Sequence, residues 1–476
     1  MSPNNFISII SGPLIFIFLY INGPFGEMNL QAHAVLCSSL WIAIWWIFEA
    51  VPIPITSLLP LVLFPLSGGL DINSTASAYG DKIIFFYIAG FIIAIAMQKW
   101  NLHKRIALTI LQYTGVNPKN IVAGFMFTSA VLSMWVMNTS TTIMLLPIGI
   151  SIISALTDTV KKISQKEKNN FQIALLLGVA YAASVGGIAT PIGTGPNGYL
   201  IQFLSTNGLD IGFFDWLKIG LPVSIILIPI IWFLLTFIIF PINFTAPKKT
   251  KETIKKMLKD LGQISYEEKI VGLVFLATAI LWMTRKLIIK LPLFEFLEDA
   301  VIAMIGGLSL FLFKTKKKEQ GLLKWSDMEK SFPWGLIFLF GGGMALAYVV
   351  NSSGLATWLA NLIPTDLPLI LVLTFLVVMI VFLTELTSNL ATTMTFVPIV
   401  YAVGIKLGIN PLILTVPLTI SASCAFMLPV ATPPNSIVFA SNLITINSMV
   451  KAGFWLNLIA ICILVFLAYY LVPNVF

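Results

Sequence analysis

Charged side chains are scarce in this sequence. Lys, Arg, Asp and Glu make up 10% of the 476 residues, whereas about 25% is usual for a soluble globular chain. Only two histidines and three cysteines are present. The cysteines lie in apolar surroundings without CxxC spacing, which argues against a disulfide framework, a zinc site or an iron–sulfur cluster. The HExxH and GxSxG motifs and paired intramembrane aspartates are also missing, so we expect neither an enzyme nor an organic cofactor.

Hydrophobic residues are abundant instead, at 58% of the chain. Apolar runs of about 20 residues, the length that crosses a bilayer as a helix, recur along the sequence; examples are 216–240, 270–289 and 455–472. The net charge of +8 comes from Lys and Arg in short loops between these runs, which indicates membrane topology and not nucleic-acid binding. The sequence therefore predicts an all-α, multi-pass integral membrane protein.

Three basic clusters determine the predicted orientation. The positive-inside rule places residues 161–168, 248–259 and 314–330 in the cytoplasm. Counting apolar runs between the clusters predicts about 11 transmembrane helices and two re-entrant hairpins. The N-terminus is then cytoplasmic and the C-terminus external, in the cell (inner) membrane. We interpret the first apolar run as a retained span, since it lacks a basic leader and a cleavage site.

Two polar segments interrupt the apolar runs, and both recur later in the chain. The segment NTSTT at 138–142 returns as NLATT at 389–393, with a proline at the same distance after each. The segment TPIGTGPN at 190–197 returns as LPVATPPN at 428–435. The first pair predicts hairpin tips, and the glycines and prolines of the second pair predict broken helices. The order and spacing of the motifs agree between the two halves of the chain, so we expect a duplication. The count of membrane crossings between the halves predicts that the two copies have opposite orientations in the membrane.

The duplication predicts four parts of the chain. Residues 1–115 are expected to form N-terminal scaffold helices, and residues 116–245 the first hairpin, broken helix and following span. Residues 246–362 are expected to form a cytoplasmic amphipathic linker and further scaffold helices. Residues 363–476 then supply the second hairpin, broken helix and last span. Apolar residues at helical spacing in the linker predict a helix that lies on the cytoplasmic membrane surface.

The tips and the breaks are expected to meet near the middle of the bilayer around one pocket. Its predicted lining is polar but uncharged: Asn138, Thr139, Thr194, Ser388, Asn389 and Thr432. Helix N-termini at such breaks direct N–H groups toward an anion, while carbonyl and side-chain oxygens hold hard cations such as sodium. Since no Arg or Lys is near, a bound dianion needs accompanying cations. The alternative is that these small polar residues only pack helices together.

Three stretches resemble the divalent anion/sodium symporters. LSMWVMNT at 132–139 and TELTSN at 384–389 are similar to the paired Ser-Asn-Thr motifs of that family, and SCAFMLPVATPPN at 423–435 is similar to its signature. The resemblance covers nearly the whole chain. It implies a homodimer with a scaffold part and a moving transport part, and alternating access by an elevator-like motion. It also implies substrates such as succinate, malate, fumarate, citrate or sulfate.

The resemblance implies a set of site residues as well. One sodium site uses Ser133, Met137, Asn138 and Gly193, and the other Thr384, Thr387, Asn389 and Ala431. The substrate carboxylates meet Asn138, Thr139, Thr194, Ser388, Asn389, Thr432 and Pro433. Two residues depart from the family pattern, Met137 in the first motif and Leu390 in the second, and each removes a hydroxyl.

These observations favour a secondary active transporter that couples sodium ions to a small divalent anion, foremost a C4-dicarboxylate. A sodium-independent dicarboxylate exchanger, and citrate or sulfate as substrate, stay open as alternatives. A channel fits the inverted repeat less well, and an intramembrane enzyme is disfavoured by the missing catalytic motifs. Glu385, just before the second tip, either couples protons or pairs locally. Glu49 is expected in a cytoplasmic turn between two spans.

Overall fold

The computed structural model describes residues 3–115, 117–159, 164–244, 249–316, 320–362 and 367–475. Helices dominate these ranges, and the only β pairing within them is an isolated bridge between Lys314 and Gly321. The predicted all-α class is therefore confirmed for the described residues. Parts of the predicted basic clusters lie outside them, namely residues 161–163, 248 and 317–319.

The first half of the chain alternates short helices with long apolar ones. Before the first polar motif lie α1 (Pro3–Asn22), α2 (Leu30–Ile47), α3 (Ile53–Thr56), α4 (Pro60–Ser67), α5 (Ile72–Ser77), α6 (Lys82–Lys99) and α7 (Leu102–Leu111). The first repeat follows with α8 (Pro118–Ser133), α9 (Asn138–Thr159), α10 (Gln165–Ile188), α11 (Gly195–Thr206) and α12 (Phe213–Phe233). A π-helical segment, Leu234–Ile239, continues α12.

The second half has a similar order. After the first repeat come α13 (Lys249–Asp260), α14 (Tyr266–Ile288), α15 (Asp299–Leu312), α16 (Trp325–Ser331), α17 (Gly335–Ser352) and α18 (Leu355–Asn361). The second repeat contains α19 (Leu369–Leu383), α20 (Asn389–Lys406), α21 (Leu412–Ala422), α22 (Pro433–Phe439), α23 (Ile446–Tyr470) and α24 (Val472–Val475). Single 3₁₀ turns lie at Ala78–Gly80, Pro292–Phe294 and Pro429–Ala431.

Several helices have the length and apolarity needed to cross a bilayer. Seven candidate spans occur within the described ranges: Leu30–Ile47, Ile72–Lys99, Gln165–Ile188, Phe213–Ile239, Tyr266–Ile288, Gly335–Ser352 and Ile446–Val475. Further apolar helices, such as Leu369–Leu383, are shorter than a full crossing of about 20 residues. The chain is thus a multi-pass membrane protein, while the count of about 11 spans and the orientation of the termini stay predictions.

Each predicted hairpin is a pair of helices joined by a short turn. α8 begins with Pro118 at its first position, behind an Asn117 side chain that caps the helix. The turn 134–137 joins α8 to α9, and the turn 384–388 joins α19 to α20. α8 and α9 contact each other and both pack against α10. Re-entry of the two hairpins into the membrane stays a prediction.

Each predicted break interrupts a helix. α10 ends at Ile188, and α11 begins at Gly195 after the irregular segment 189–194. In the second repeat α21 ends at Ala422, and α22 begins at Pro433. Proline lies in the first helical turn after both breaks, where its missing N–H is not needed. The glycines and prolines therefore act as the sequence predicts.

An asparagine side chain bridges each break. Asn197 and Asn435 both donate from Nδ2 to carbonyl oxygens ten and seven residues earlier in the chain. The distances are 3.1 and 2.8 Å in the first repeat, and 3.1 Å for each bond in the second. Both asparagines are fully buried. The bridged carbonyls have lost their helical partners at the break, so the amide satisfies groups that burial would otherwise leave unpaired.

The two repeats pack into each other. α11, which follows the first break, contacts α20 and α21 of the second repeat. In return α22, which follows the second break, contacts α9 and α10 of the first repeat. This reciprocal packing brings both tips and both breaks to the same place, as the internal duplication predicts.

The linker helix α13 has its apolar face against protein. It contacts α7 and α9, and Ile254 is 2% exposed. Met257 and Leu258 also pack against the core. Part of this face therefore packs against protein, because helical amphipathicity does not distinguish a lipid surface from a protein groove. The position of α13 on the cytoplasmic membrane surface stays a prediction.

Candidate functional site

The two tips and the two breaks line one cavity of about 560 Å³. All seven residues predicted to meet substrate are in its lining: Asn138, Thr139, Thr194, Ser388, Asn389, Thr432 and Pro433. Among the lining residues only Glu49 is charged. The wall that faces a ligand is thus mostly neutral, with hydroxyl, amide and backbone groups on opposite sides.

Helix N-termini supply hydrogen-bond donors to this cavity. α9 begins at Asn138, α20 at Asn389 and α11 at Gly195, and all three residues line the cavity. The N-cap hydroxyls of Thr194 and Ser388 do not cap their own helices. The first N–H groups of a helix have no intrahelical acceptor and carry the positive end of the helix dipole. Such an arrangement binds anions without a basic side chain.

An oxygen cluster lies beside the first tip. One terminal atom of the Asn138 amide contacts Ser133 Oγ and lies 3.2 Å from the carbonyl oxygens of Gly193 and Ala183. With nitrogen at this position, the amide donates to all three oxygens. With oxygen at this position, four oxygen atoms come together, which is the donor set of a hard cation. Three of the four predicted residues of this sodium site, all but Met137, therefore contribute to one cluster.

The second tip has a corresponding cluster. Thr384 Oγ1 lies 2.7 Å from Asn389 Oδ1 and 2.9 Å from the Ala422 carbonyl oxygen, and its single proton is donated to one of the two. The Thr384 side chain is fully buried. Thr384 precedes Asn389 by five residues, as Ser133 precedes Asn138. The two clusters are therefore equivalent positions of the repeat.

The remaining residues predicted for sodium lie in two different settings. Met137, Gly193 and Ala431 line the cavity. Thr387 does not; its hydroxyl donates to the Leu383 carbonyl at 2.9 Å and lies 2.7 Å from Thr392 Oγ1. Its hydroxyl thus contacts the last residue of α19 and a threonine of α20, and not Asn389.

Different groups hold each tip to its break. In the second repeat the Glu385 carboxylate accepts four hydrogen bonds, at 2.7 to 3.0 Å, from the backbone N–H groups of residues 426–428. Asn457 Nδ2 adds a further one at 2.7 Å. In the first repeat the Thr190 hydroxyl donates to the Met134 carbonyl. Of the two interpretations of Glu385, local pairing therefore has direct structural support.

Two glycines touch inside the first break. A Cβ placed on Gly193 would lie 2.4 Å from the Gly187 carbonyl oxygen, and one placed on Gly187 would lie 2.6 Å from Asn138 Oδ1. Any side chain at either position therefore disturbs the oxygen cluster. The corresponding residues of the second break are Ala425 and Ala431, so this close approach is confined to the first repeat.

Sequence reasoning did not place several residues on the cavity wall, among them Tyr87, Phe340 and Glu49. The Tyr87 hydroxyl donates to the Pro191 carbonyl at 2.6 Å, and its ring stacks on Phe340 at 4.8 Å. Aromatic residues inside apolar runs are expected both on a cavity wall and on a lipid-facing surface, so the sequence does not distinguish the two locations. Glu49 lies in the turn between α2 and α3 with a positive φ of 44°. The turn was predicted, but not its position on the cavity.

The duplicated helical architecture around one polar cavity defines the class of this chain as a multi-pass membrane transport protein. A family model agrees with that class, since the sodium:sulfate symporter transmembrane region matches residues 9–473. The chain therefore belongs to the sodium:sulfate symporter family, the divalent anion/sodium symporters that its motifs resemble.

Relatives and one solved structure are consistent with this membership. The chain is 40% identical over 477 residues to the sodium-dependent dicarboxylate transporter SdcS of Staphylococcus saprophyticus, covering 98% of this chain and 92% of that protein. It is 38% identical over 481 residues to SdcS of Staphylococcus aureus strain USA300, covering 100% of this chain and 92% of that protein. The Alcanivorax borkumensis YdaH transporter has a similar fold, with a TM-score of 0.53 and 14% identity over 83% of this chain and 86% of that chain.

Proposed function

We propose that this protein is a secondary active transporter that carries a small divalent anion together with sodium ions. The anion is a C4-dicarboxylate such as succinate, malate or fumarate. One observation carries the proposal: a cavity lined by neutral donors and helix N-termini lies beside two buried oxygen clusters. The two relatives named sodium-dependent dicarboxylate transporter support the same assignment.

The substrate carboxylates bind between the two tips. One carboxylate meets Asn138, Thr139 and Thr194, and the other meets Ser388, Asn389 and Thr432. Pro433 completes the wall beside Thr432. These groups donate hydrogen bonds from hydroxyls, amides and helix N-termini, so the anion is held without a fixed positive charge. The site therefore favours the anion only while cations are bound nearby.

Sodium ions supply that positive charge. The first ion lies between Ser133, Asn138 and Gly193, with the backbone of Met137 adjacent. The second lies between Thr384, Asn389 and Ala431, with Thr387 behind it. With the Asn138 oxygen directed to this ion, the ligands are the four oxygens of Ser133, Asn138, Gly193 and Ala183. Ion binding then involves the same side chain that meets the substrate.

Electrical work also favours coupling. Moving a dianion into a cell whose interior is electrically negative requires electrical work of roughly 4.6 kcal/mol per 100 mV of membrane potential, at about 2.3 kcal/mol per charge. Two co-transported sodium ions cancel this cost, and a third would make entry electrogenic. The cavity itself has no basic residue in its described lining that could compensate the anion.

Alternating access takes the form of an elevator-like motion in a homodimer. The hairpins and broken helices of residues 116–245 and 363–476 form the moving part, and residues 1–115 and 246–362 form the scaffold. Reciprocal packing of α11 with α20 and of α22 with α9 supports a moving part that stays together. The protein lies in the cell (inner) membrane with a cytoplasmic N-terminus and an external C-terminus.

Uptake into proteoliposomes tests the proposal. Radiolabelled succinate is supplied under an inward sodium gradient or a matched potassium gradient, to vesicles that are empty or preloaded with succinate. Accumulation in empty vesicles that requires sodium supports symport. Uptake only into preloaded vesicles, indifferent to sodium, makes the protein an exchanger. With no succinate uptake, the same assay with citrate and sulfate decides between the remaining anions.

A further inference from the structure

The two tips differ at two positions that the repeat makes equivalent. Counting from the shared asparagine, Met137 corresponds to Ser388, and Thr139 corresponds to Leu390. At each of these positions one repeat has a hydroxyl and the other an apolar side chain. All four residues line the cavity. Each tip therefore presents one hydroxyl and one apolar side chain to the cavity, in opposite order about its asparagine.

Leu390 covers part of the opposite repeat. A Cβ placed on Gly195 would lie 2.9 Å from Leu390 Cδ2 and 3.5 Å from Cδ1. The isobutyl group thus lies over the first residue of α11, and it is 7% exposed. A hydroxyl at this position would offer a donor and an acceptor beside the start of α11, whereas leucine offers only carbon.

Other apolar side chains line the cavity as well. Besides Met137 and Leu390 the described lining includes Ile143, Ile192, Leu336 and Val430, together with the polar Glu49, Tyr87 and Ser436. A ligand carboxylate at either tip has polar partners, whereas the Met137 and Leu390 side chains offer no hydrogen-bond partner to a polar group on the carbons between the carboxylates. An unpaired buried hydroxyl is unfavourable relative to water.

We propose that Met137 and Leu390 select dicarboxylates whose carbon backbone carries no hydroxyl group. Succinate and fumarate fit this description, whereas malate has one hydroxyl and tartrate one on each middle carbon. The inference rests on the proposed function, since it assigns selectivity to the same cavity. It narrows that function from C4-dicarboxylates in general to the unhydroxylated ones.

Competition in proteoliposomes tests the selectivity of the unaltered protein. Uptake of radiolabelled succinate under a sodium gradient is measured with increasing unlabelled succinate, malate or tartrate. We expect half-inhibition by malate at about tenfold, and by tartrate at about 100-fold, the concentration needed for succinate. Tartrate as potent as succinate would overturn the inference.

Paired substitutions identify the residues. Leu390→Thr and Leu390→Val have side chains of the same shape, and only threonine adds a hydroxyl. The quantity compared is the concentration of tartrate for half-inhibition divided by that of succinate. We expect Leu390→Thr to lower this ratio by about tenfold, while Leu390→Val keeps the wild-type ratio. Met137→Ser and Met137→Ala form a second pair with the same expectation. Equal ratios within both pairs would exclude these residues as the selective groups.

A binding measurement tests the selectivity independently of the proposed transport function. Purified protein in detergent with sodium is heated with succinate or with tartrate, and the shift in midpoint temperature is compared. Stabilisation by succinate alone, without any transport, leaves the selectivity intact and overturns the symport proposal. Equal stabilisation by both ligands overturns the selectivity, whatever the transport assay shows.

Discussion

The first and second repeats form similar structures from different chemistry. In the first, a neutral hydrogen bond from Thr190 to the Met134 carbonyl joins tip and break. In the second, the buried Glu385 carboxylate accepts backbone N–H groups from the break. The first break also brings Gly187 and Gly193 into contact, whereas alanine occupies both equivalent positions in the second.

These differences show which features the architecture requires. Both repeats retain the asparagine at the start of the tip helix and the asparagine that bridges the break. The group that joins tip to break is not retained, and neither is the glycine pair. Equivalent substitutions should therefore have equal effects at the shared asparagines and unequal effects elsewhere.

The largest effect is expected at the shared asparagines of the tips. Asn138→Ala and Asn389→Ala each remove an amide that contacts an oxygen cluster and lines the cavity. We expect each to reduce sodium-driven succinate uptake by about 100-fold or more. Asn447→Ala, an exposed position at the start of α23, is the control. Intact uptake in either tip variant would place the binding site elsewhere.

A large but unequal effect is expected at the glycine contact. Gly193→Ala puts a Cβ 2.4 Å from the Gly187 carbonyl, and we expect a loss of about 3 kcal/mol in stability. The equivalent Ala431→Gly should cost about 1 kcal/mol or less. Thermal unfolding in detergent measures both. Gly149→Ala is the control, because its new Cβ would have ordinary contacts at 3.7 Å. Equal losses at residues 193 and 431 would contradict the comparison.

A smaller difference is expected between the two groups that join tip to break. Glu385→Gln replaces a charged acceptor of several hydrogen bonds, so we expect a loss of about 2 to 3 kcal/mol. Thr190→Val removes one neutral hydroxyl and should cost about 1 kcal/mol. The exposed Glu295→Gln serves as the control. If Glu385→Gln unfolds at the wild-type temperature, the carboxylate is not acting as a charged acceptor.

The smallest effect is expected at the buried hydroxyls behind the tips. Ser133→Ala and Thr384→Ala each remove one oxygen from a cluster. We expect the sodium concentration for half-maximal uptake to rise about tenfold in each. Thr384→Ser keeps the hydroxyl and should keep the wild-type value. A change confined to the KM for succinate, with the sodium dependence unaltered, would argue that these hydroxyls serve the anion alone.

The polar tips and the breaks that line the cavity could be predicted from the sequence because their residues are unusual for their surroundings. Asn, Thr, Gly and Pro at 138–142 and 190–197 interrupt apolar runs, and the same pattern recurs. Burial of such polar groups in a membrane is unfavourable unless they serve a purpose, so their repetition is informative. The lining confirms that these segments meet.

Other features could not be predicted for equally physical reasons. Tyr87 and Phe340 are aromatic residues in apolar helices, where a cavity, a core and a lipid surface all favour the same side chains. The face of α13 has the helical periodicity that both a membrane and a protein groove require. The position of Glu49 on the cavity depends on packing between distant elements, which no local pattern records.

The asparagine bridges across the breaks have one more consequence. An interrupted helix is usually free to bend at the interruption, since its hydrogen bonds are missing there. Asn197 connects α11 to the Gly187 carbonyl of α10 and to the Thr190 carbonyl of the first break. Asn435 connects α22 to the Ala425 and Leu428 carbonyls within the second break. These buried bonds restrict bending at both breaks. Under the elevator-like motion proposed above, each break would move together with the helix that follows it, and the cavity residues on it would keep their arrangement around the ligand on both sides of the membrane.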